Sequence, residues 1–356
     1  MTSADPAHRT VALALTGEQV LAALADPAAL ALLDTAPIAF TVVGVDRVTA
    51  GAPDGRPTVD AATAVAVLTG RTDHAAFLVA ASPTRDHPYN LARRITSVAH
   101  LSRRRTGVVV GGCDPYVPRG AGRARGDAPV LTGPPGAQAV RDLALAVQKL
   151  EQTWPYDAIV ADRERRIFAR GDLIRHAHHD GVFPTAGPLT LPATPEGASV
   201  LAWWINAADE LPAAAEVADV LVAPAGRDAT AAARRAVETA PRGHFADPGR
   251  RPLVLAPLAV AADATAQALR AAADALLASG ADGLVLRPAD ADPTTAIRLA
   301  ARLTPDAGPA RSSLRARLGL PATADLLPPG PGVFPAPAPI PPVRTAETVK
   351  GGAATR

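Results

Sequence analysis

The sequence predicts an α/β protein, a closed (β/α)8 barrel (a TIM barrel) with one insertion after its fourth helix. Three observations point there: eight short apolar runs, helical spacing between them, and a single interval that breaks the rhythm. The runs are Val11–Leu15, Ile38–Gly44, Ala76–Ala81, Gly107–Gly111, Val200–Trp204, Val220–Ala223, Leu253–Leu258 and Gly283–Leu286. They are almost unbroken in apolar character, as strands covered on both faces must be. Between them Gly17–Leu33, Tyr89–Ser102, Ala137–Thr153, Thr230–Thr239, Asp263–Ala278 and Thr294–Leu303 carry Ala, Leu and Arg at helical spacing. Alternation of this kind forces parallel pairing through right-handed crossovers, and eight repeats close a barrel. A doubly wound open sheet is the competing arrangement, and two small domains the competing division of 356 residues.

About residues 155–198 interrupt the pattern. That stretch holds Ile167–Phe168, the histidines 176, 178 and 179, and a Gly187–Pro188 turn, which reads as a hairpin or irregular flap near one end of the barrel. Residues 1–320 are thus read as the barrel, and residues 321–356, rich in Pro, Ala and Gly without periodicity, as a disordered tail.

Composition narrows the function. Hydrophobic residues make up 48% and charged residues 20%, with a net charge of +2; the pI near 9.0 reflects a small arginine surplus without the basic stripe a nucleic acid needs. Lys149 and Lys350 are the only lysines, one on an expected surface helix and one in the tail, so Schiff-base chemistry has no nucleophile. The single Cys113 excludes an internal disulfide and favours a reducing, cytoplasmic setting. Neither a signal peptide nor an eighteen-residue apolar span is apparent, so no membrane partner is expected.

In such a barrel the active site lies where strands end. Asp46, Ser82, Cys113, Asp114, Asn206, Arg227 and Arg287 occupy those positions, and many residues of these types simply cap helices. Cys113 lacks a neighbouring base and reads as a small hydrophobe. The histidines lack metal-ligand spacing, so no metal site is expected. Arg119–Gly126 has the glycines and arginines to wrap a phosphate but matches no phosphate-binding fingerprint. No catalytic side chain is singled out.

His87-Pro-Tyr-Asn-Leu-Ala-Arg-Arg-Ile-Thr-Ser-Val-Ala-His-Leu-Ser102 resembles the "PYhlARrfasLDhLSgGR" segment of the nitrilotriacetate and dibenzothiophene-sulfone monooxygenases, within the bacterial-luciferase-like superfamily. Leu150–Trp154, Gly181–Pro192 and Ser313–Pro321 resemble, in the same order, that branch's "LWdSW", "GehFkVrGPLnvP" and "TLRehLGLP". The resemblance implies an FMN-dependent, two-component monooxygenase. A separate flavin reductase supplies reduced FMN, O2 is the oxidant, the substrate is a small organic molecule, and the assembly is a homodimer or heterodimer. It places Asp46 where the family's flavin-contacting Asp stands and Ser82 in the stretch against the isoalloxazine. Trp203 and Trp204 offer either a flat wall for the ring or packing; successive strand residues face opposite ways, so one of the two lines the interior, and Trp204 is the one favoured.

Departures accompany it. Val109 stands for a flavin-bonding Asn, Gly136–Ala137 for an Arg-Tyr pair, and Trp203-Trp-Ile-Asn-Ala207 for the phosphate-holding "QAGsS". Asn206, Arg227 and the Arg119–Gly126 loop are the available substitutes for the lost donors. The alternative is a barrel that has lost flavin binding and serves as a partner subunit or binding protein.

Overall fold

The computed structural model describes residues 10–50, 55–116, 135–240, 251–304, 312–327 and 329–337. Among the described residues ten strands run in chain order: β1 (Thr10–Leu15), β2 (Thr41–Val43), β3 (Phe77–Ala81), β4 (Thr106–Gly111), β5 (Ile159–Asp162), β6 (Ile167–Ala169), β7 (Val200–Trp204), β8 (Val220–Val222), β9 (Leu253–Val260) and β10 (Gly283–Pro288). Eight close in the order β1-β10-β9-β8-β7-β4-β3-β2, every neighbouring pair parallel, while β5 and β6 form a separate antiparallel pair. All eight apolar runs become barrel strands. The second is shortened to Thr41–Val43 and ends where Gly44 takes φ +82, a left-handed turn that glycine adopts without a Cβ penalty.

The helices are α1 (Gly17–Ala25), α2 (Pro27–Thr35), α3 (Ala61–Gly70), α4 (Pro88–Leu101), α5 (Ala137–Gln152), α6 (Leu211–Val217), α7 (Arg227–Thr239), α8 (Ala266–Leu277), α9 (Thr294–Leu303) and the short α10 (Leu314–Arg317). Starts follow local chemistry. Thr16 caps α1 in a reciprocal capping box with Gln19, Asp60 accepts from Thr63 N–H at the start of α3, and Pro88 opens α4.

Register divides the strand side chains into two sets. Ala14, Val42, Leu78, Gly107 and Val200 lie at one level around the barrel, as do Gly111, Trp204, Val222 and Leu255 nearer the strand ends. These belong to the inward set, which is rich in Ala, Gly and Val. The opposite parity carries larger residues, among them Phe77 and Trp203, both fully buried against the helices. Small side chains inside and bulky ones outside let the strands close a narrow lumen, each large buried side chain contributing about 1.5–3 kcal/mol.

Between α5 and β7 the chain forms the β5–β6 hairpin and irregular turns that dock on α5 through Asp142. Its Oδ1 lies 3.0 Å from His179 Nε2, and its Oδ2 accepts from Phe183 N–H at 2.8 Å. Burial pushes this carboxyl up, but the two bonds outweigh it and hold it below the usual range.

Near the strand starts, Arg315 of α10 pairs with the buried Asp219 at 3.2 Å. It also donates to the carbonyls of Pro321, Ala198 and Ser199. Asp219 in turn accepts from Leu201 N–H at 2.9 Å, so the last helix is bolted to the entrances of β7 and β8. The Ser313–Pro321 motif therefore has a structural role.

Residues 321–327 and 329–337 form irregular chain held by specific bonds. Gln152 brackets it by donating to Ala324 O and accepting from Leu326 N–H, Arg175 pairs with Asp325, and Val333 N–H reaches Ile174 O. Lack of periodicity excluded helix and strand there. It did not exclude irregular chain docked through its own backbone groups.

Candidate functional site at the barrel mouth

A cavity of about 420 Å³ opens at the strand ends, within the range of small-molecule sites. The start of α1 (Thr16, Glu18, Gln19) forms one wall and Asp46, Arg56, Pro57 and Tyr116 another; the ends of β9 and β10 contribute Pro257, Ala259, Arg287 and Pro288. Pro257 and Ala259 alternate along β9, and Arg287 pairs in register with Ala259, so all three face the lumen.

Most polar atoms on these walls are already engaged. Asp46 accepts from Gly17 N–H through Oδ1 and from the Thr58 hydroxyl through Oδ2, each at 2.9 Å. Gln19 completes the α1 cap and donates to Pro288 O and Asp290 O. Glu18 pairs with Arg56 at 2.9 Å on the rim.

Arg287 is different. Its guanidinium lies 5.5 Å from the centre of the Trp204 ring, reaching across the lumen from β10 to β7. No carboxylate among the described residues forms an ion pair with it, and burial pushes its pKa below the usual arginine value.

The other half of the mouth is filled by the chain itself. After β2 a strap runs through Val45–Arg47 to Ala50, and Val48 is completely buried. A Cβ on Gly111 at the end of β4 would meet Val48 Cβ and Val48 O at 2.8 Å, so glycine is what lets the strap lie this deep. Asn206 clamps the strap from β7, accepting from Ala50 N–H and donating to Val48 O, both at 2.9 Å. Asp114 holds it from β4, bonded to Arg47 at 3.1 Å and to Arg85. Arg85 also pairs with Asp86, which binds Arg94 of α4 at 2.7 Å.

Asp46 and Arg287 therefore share the cavity, and Trp204 lies beneath Arg287 facing the lumen, while Trp203 turns outward and donates to Glu210 at 2.8 Å. Ser82 is buried, its hydroxyl 2.9 Å from that of Thr84 and its N–H on Asp86. Asn206 serves the strap. Arg227 is exposed at the start of α7. Cys113 is half-buried, its thiol pushed up by burial and by Glu210, the behaviour of an unreactive thiol. Among the described residues no group of His, Cys, Asp and Glu is placed to hold a metal, and Arg119–Gly126 lies outside them. Sequence reasoning missed the strap, because its only signal is a glycine at the end of β4 and a valine in a loop.

The closed parallel barrel, its interruption before β7 and the cavity at the strand ends define the class, a (β/α)8 barrel of the fold seen in solved monooxygenases. Over 265 residues it is 28% identical to a pristinamycin IIA synthase subunit from Streptomyces pristinaespiralis, covering 74% of this chain and 83% of that protein. Its fold is similar to EDTA monooxygenase from Chelativorans sp. BNC1, with TM-score 0.63 and 17% identity over 88% of this chain and 98% of that one. It is similar too to a riboflavin lyase solved with modified FMN and riboflavin, with TM-score 0.65 and 15% identity over 88% and 96% of the two chains. No family model matches the chain. Among the described residues no helix is long and apolar enough to cross a membrane.

Proposed function

We propose that this chain is an FMN-dependent oxidoreductase of the luciferase-like class that oxygenates a small organic substrate with O2, its flavin reduced by a separate reductase. One observation carries the reading: a cavity of about 420 Å³ at the strand ends with Asp46 on its walls beside Arg287, which has no carboxylate partner among the described residues. The donor set suits a flavin. Pro257, Ala259, Pro288 and Ala289 offer an apolar face to a ring, and Arg287 offers a cation to an anionic group. When bound, FMN supplies the oxygen-activating chemistry. The chain's own work is to orient flavin and substrate and to exclude water: Asp46, fixed by Gly17 and Thr58, presents its remaining lone pairs, and the Val48 strap seals one side.

Anaerobic titration with reduced FMN tests this. Saturation in the micromolar range is expected, and Asp46→Asn, which keeps the bond from Gly17 but removes the charge, is expected to weaken it about tenfold. An unchanged affinity in that variant would remove Asp46 from the site.

A second reading has its own observation. The carboxylate of Asp46, the hydroxyl of Ser82 and the amide of Asn206 are all bonded to the chain itself, and the pristinamycin relative is a synthase subunit by name. On this reading the chain is the partner in a heterodimer and binds no flavin alone. Saturable FMN binding by the isolated chain eliminates it.

A further inference from the structure

We infer that Arg287 is an anion anchor and that the mouth cavity selects ligands carrying a carboxylate or phosphate group. This rests on the proposal that the cavity is the ligand site. Other described arginines around the mouth are matched: Arg56 to Glu18, Arg47 and Arg85 to Asp114, Arg94 to Asp86. Arg287 has no carboxylate partner among the described residues, yet it stands at the end of β10 on the lumen face, where a neutral side chain would fill space without the cost of desolvating a charge.

The Trp204 ring, its centre 5.5 Å from the guanidinium carbon, supplies some of the missing attraction. The attraction of a ring face does not use up the N–H groups of a guanidinium, and these form a fork that matches carboxylate or phosphate oxygens. Asp46 does not meet that need. It lines the same cavity, but its oxygens are bonded to Gly17 and Thr58 and it forms no ion pair with Arg287. The surroundings of the guanidinium, apolar at Pro257 and Ala259, strengthen any charge pairing made there.

The anionic group can come from the flavin's phosphate or from the substrate, and matched probe pairs separate the two. FMN against riboflavin differs only in phosphate; benzoate against benzamide differs in the charge of a small aromatic ligand. Binding is read from tryptophan fluorescence, since Trp204 lies directly under the guanidinium and the chain has only three tryptophans.

In the wild type, at least one anionic member is expected to bind more tightly than its neutral counterpart. Arg287→Gln should weaken that member about tenfold while leaving the neutral one unchanged, and Arg287→Lys should restore part of the preference. Preference in the flavin pair assigns Arg287 to the phosphate; preference in the benzoate pair assigns it to the substrate. Equal losses for charged and neutral probes, or no loss, would show that Arg287 only packs on Trp204 and overturn the inference while the cavity reading stands. Failure of all four probes to saturate at millimolar concentration overturns both.

Discussion

Replacing Arg315 with alanine is expected to lower the free energy of unfolding by about 3–5 kcal/mol, the cost of leaving a buried carboxylate without its cation. Asp219 is almost completely buried and Arg315 nearly so, at the end of the barrel away from the cavity. Removing the guanidinium also leaves the carbonyls of Pro321, Ala198 and Ser199 short of a donor and unties the segment beyond α10. Urea unfolding followed by circular dichroism measures the loss. The Asp219→Asn/Arg315→Ala double variant should recover part of it, because the stranded charge is then gone. A loss under about 1 kcal/mol in the single variant would mean that water reaches Asp219 and that the pair holds little. Ligand binding at the far mouth should be unaffected wherever the variant remains folded.

Legibility followed how local each signal is. The strands were readable because burial on both faces of a parallel sheet demands continuous apolar runs, and Val200–Trp204 appears in the structure with the boundaries its sequence implies. Alternation along a strand also fixed that Trp203 and Trp204 face opposite ways, and the contact with Arg287 puts Trp204 in the lumen. The site was legible by position only. Asp46 and Arg287 both stand out as polar residues at strand ends, yet nothing local distinguishes Arg287, on the cavity wall, from Arg227, exposed on α7. Pairing depends on partners distant in sequence: Asn206 reaches back to Val48 and Ala50, and Asp114 to Arg47. The strap was invisible for the same reason. Only the fold brings Val48 onto Gly111.

Glu151 gives the protein an expected pH dependence that has nothing to do with the mouth. Its carboxyl, on α5, accepts from the Ser199 hydroxyl at 2.6 Å and from Ser199 N–H at 3.2 Å, next to the Arg315 network. Burial pushes its pKa from 4.5 up to about 7, against the pull of the Ser199 bonds and of Arg315. Because the folded value is the higher one, the native state holds this proton more tightly than the unfolded chain does. The resulting stability is fully present below about pH 4.5 and is lost as pH rises through 7, in total about 3 kcal/mol for this group. Glu151→Gln carries no titrating proton, so its denaturation midpoint should change less than the wild type's between about pH 5 and pH 8, leaving the variant relatively more stable at the alkaline end. Parallel profiles for the two proteins would show that Glu151 ionises at an ordinary value. Removing Arg315 takes away one of the influences holding the Glu151 pKa down, so the alkaline loss should extend to a higher pH in that variant and reach further. This coupling makes the two substitutions non-additive above neutrality, and the double variant's pH profile measures it directly.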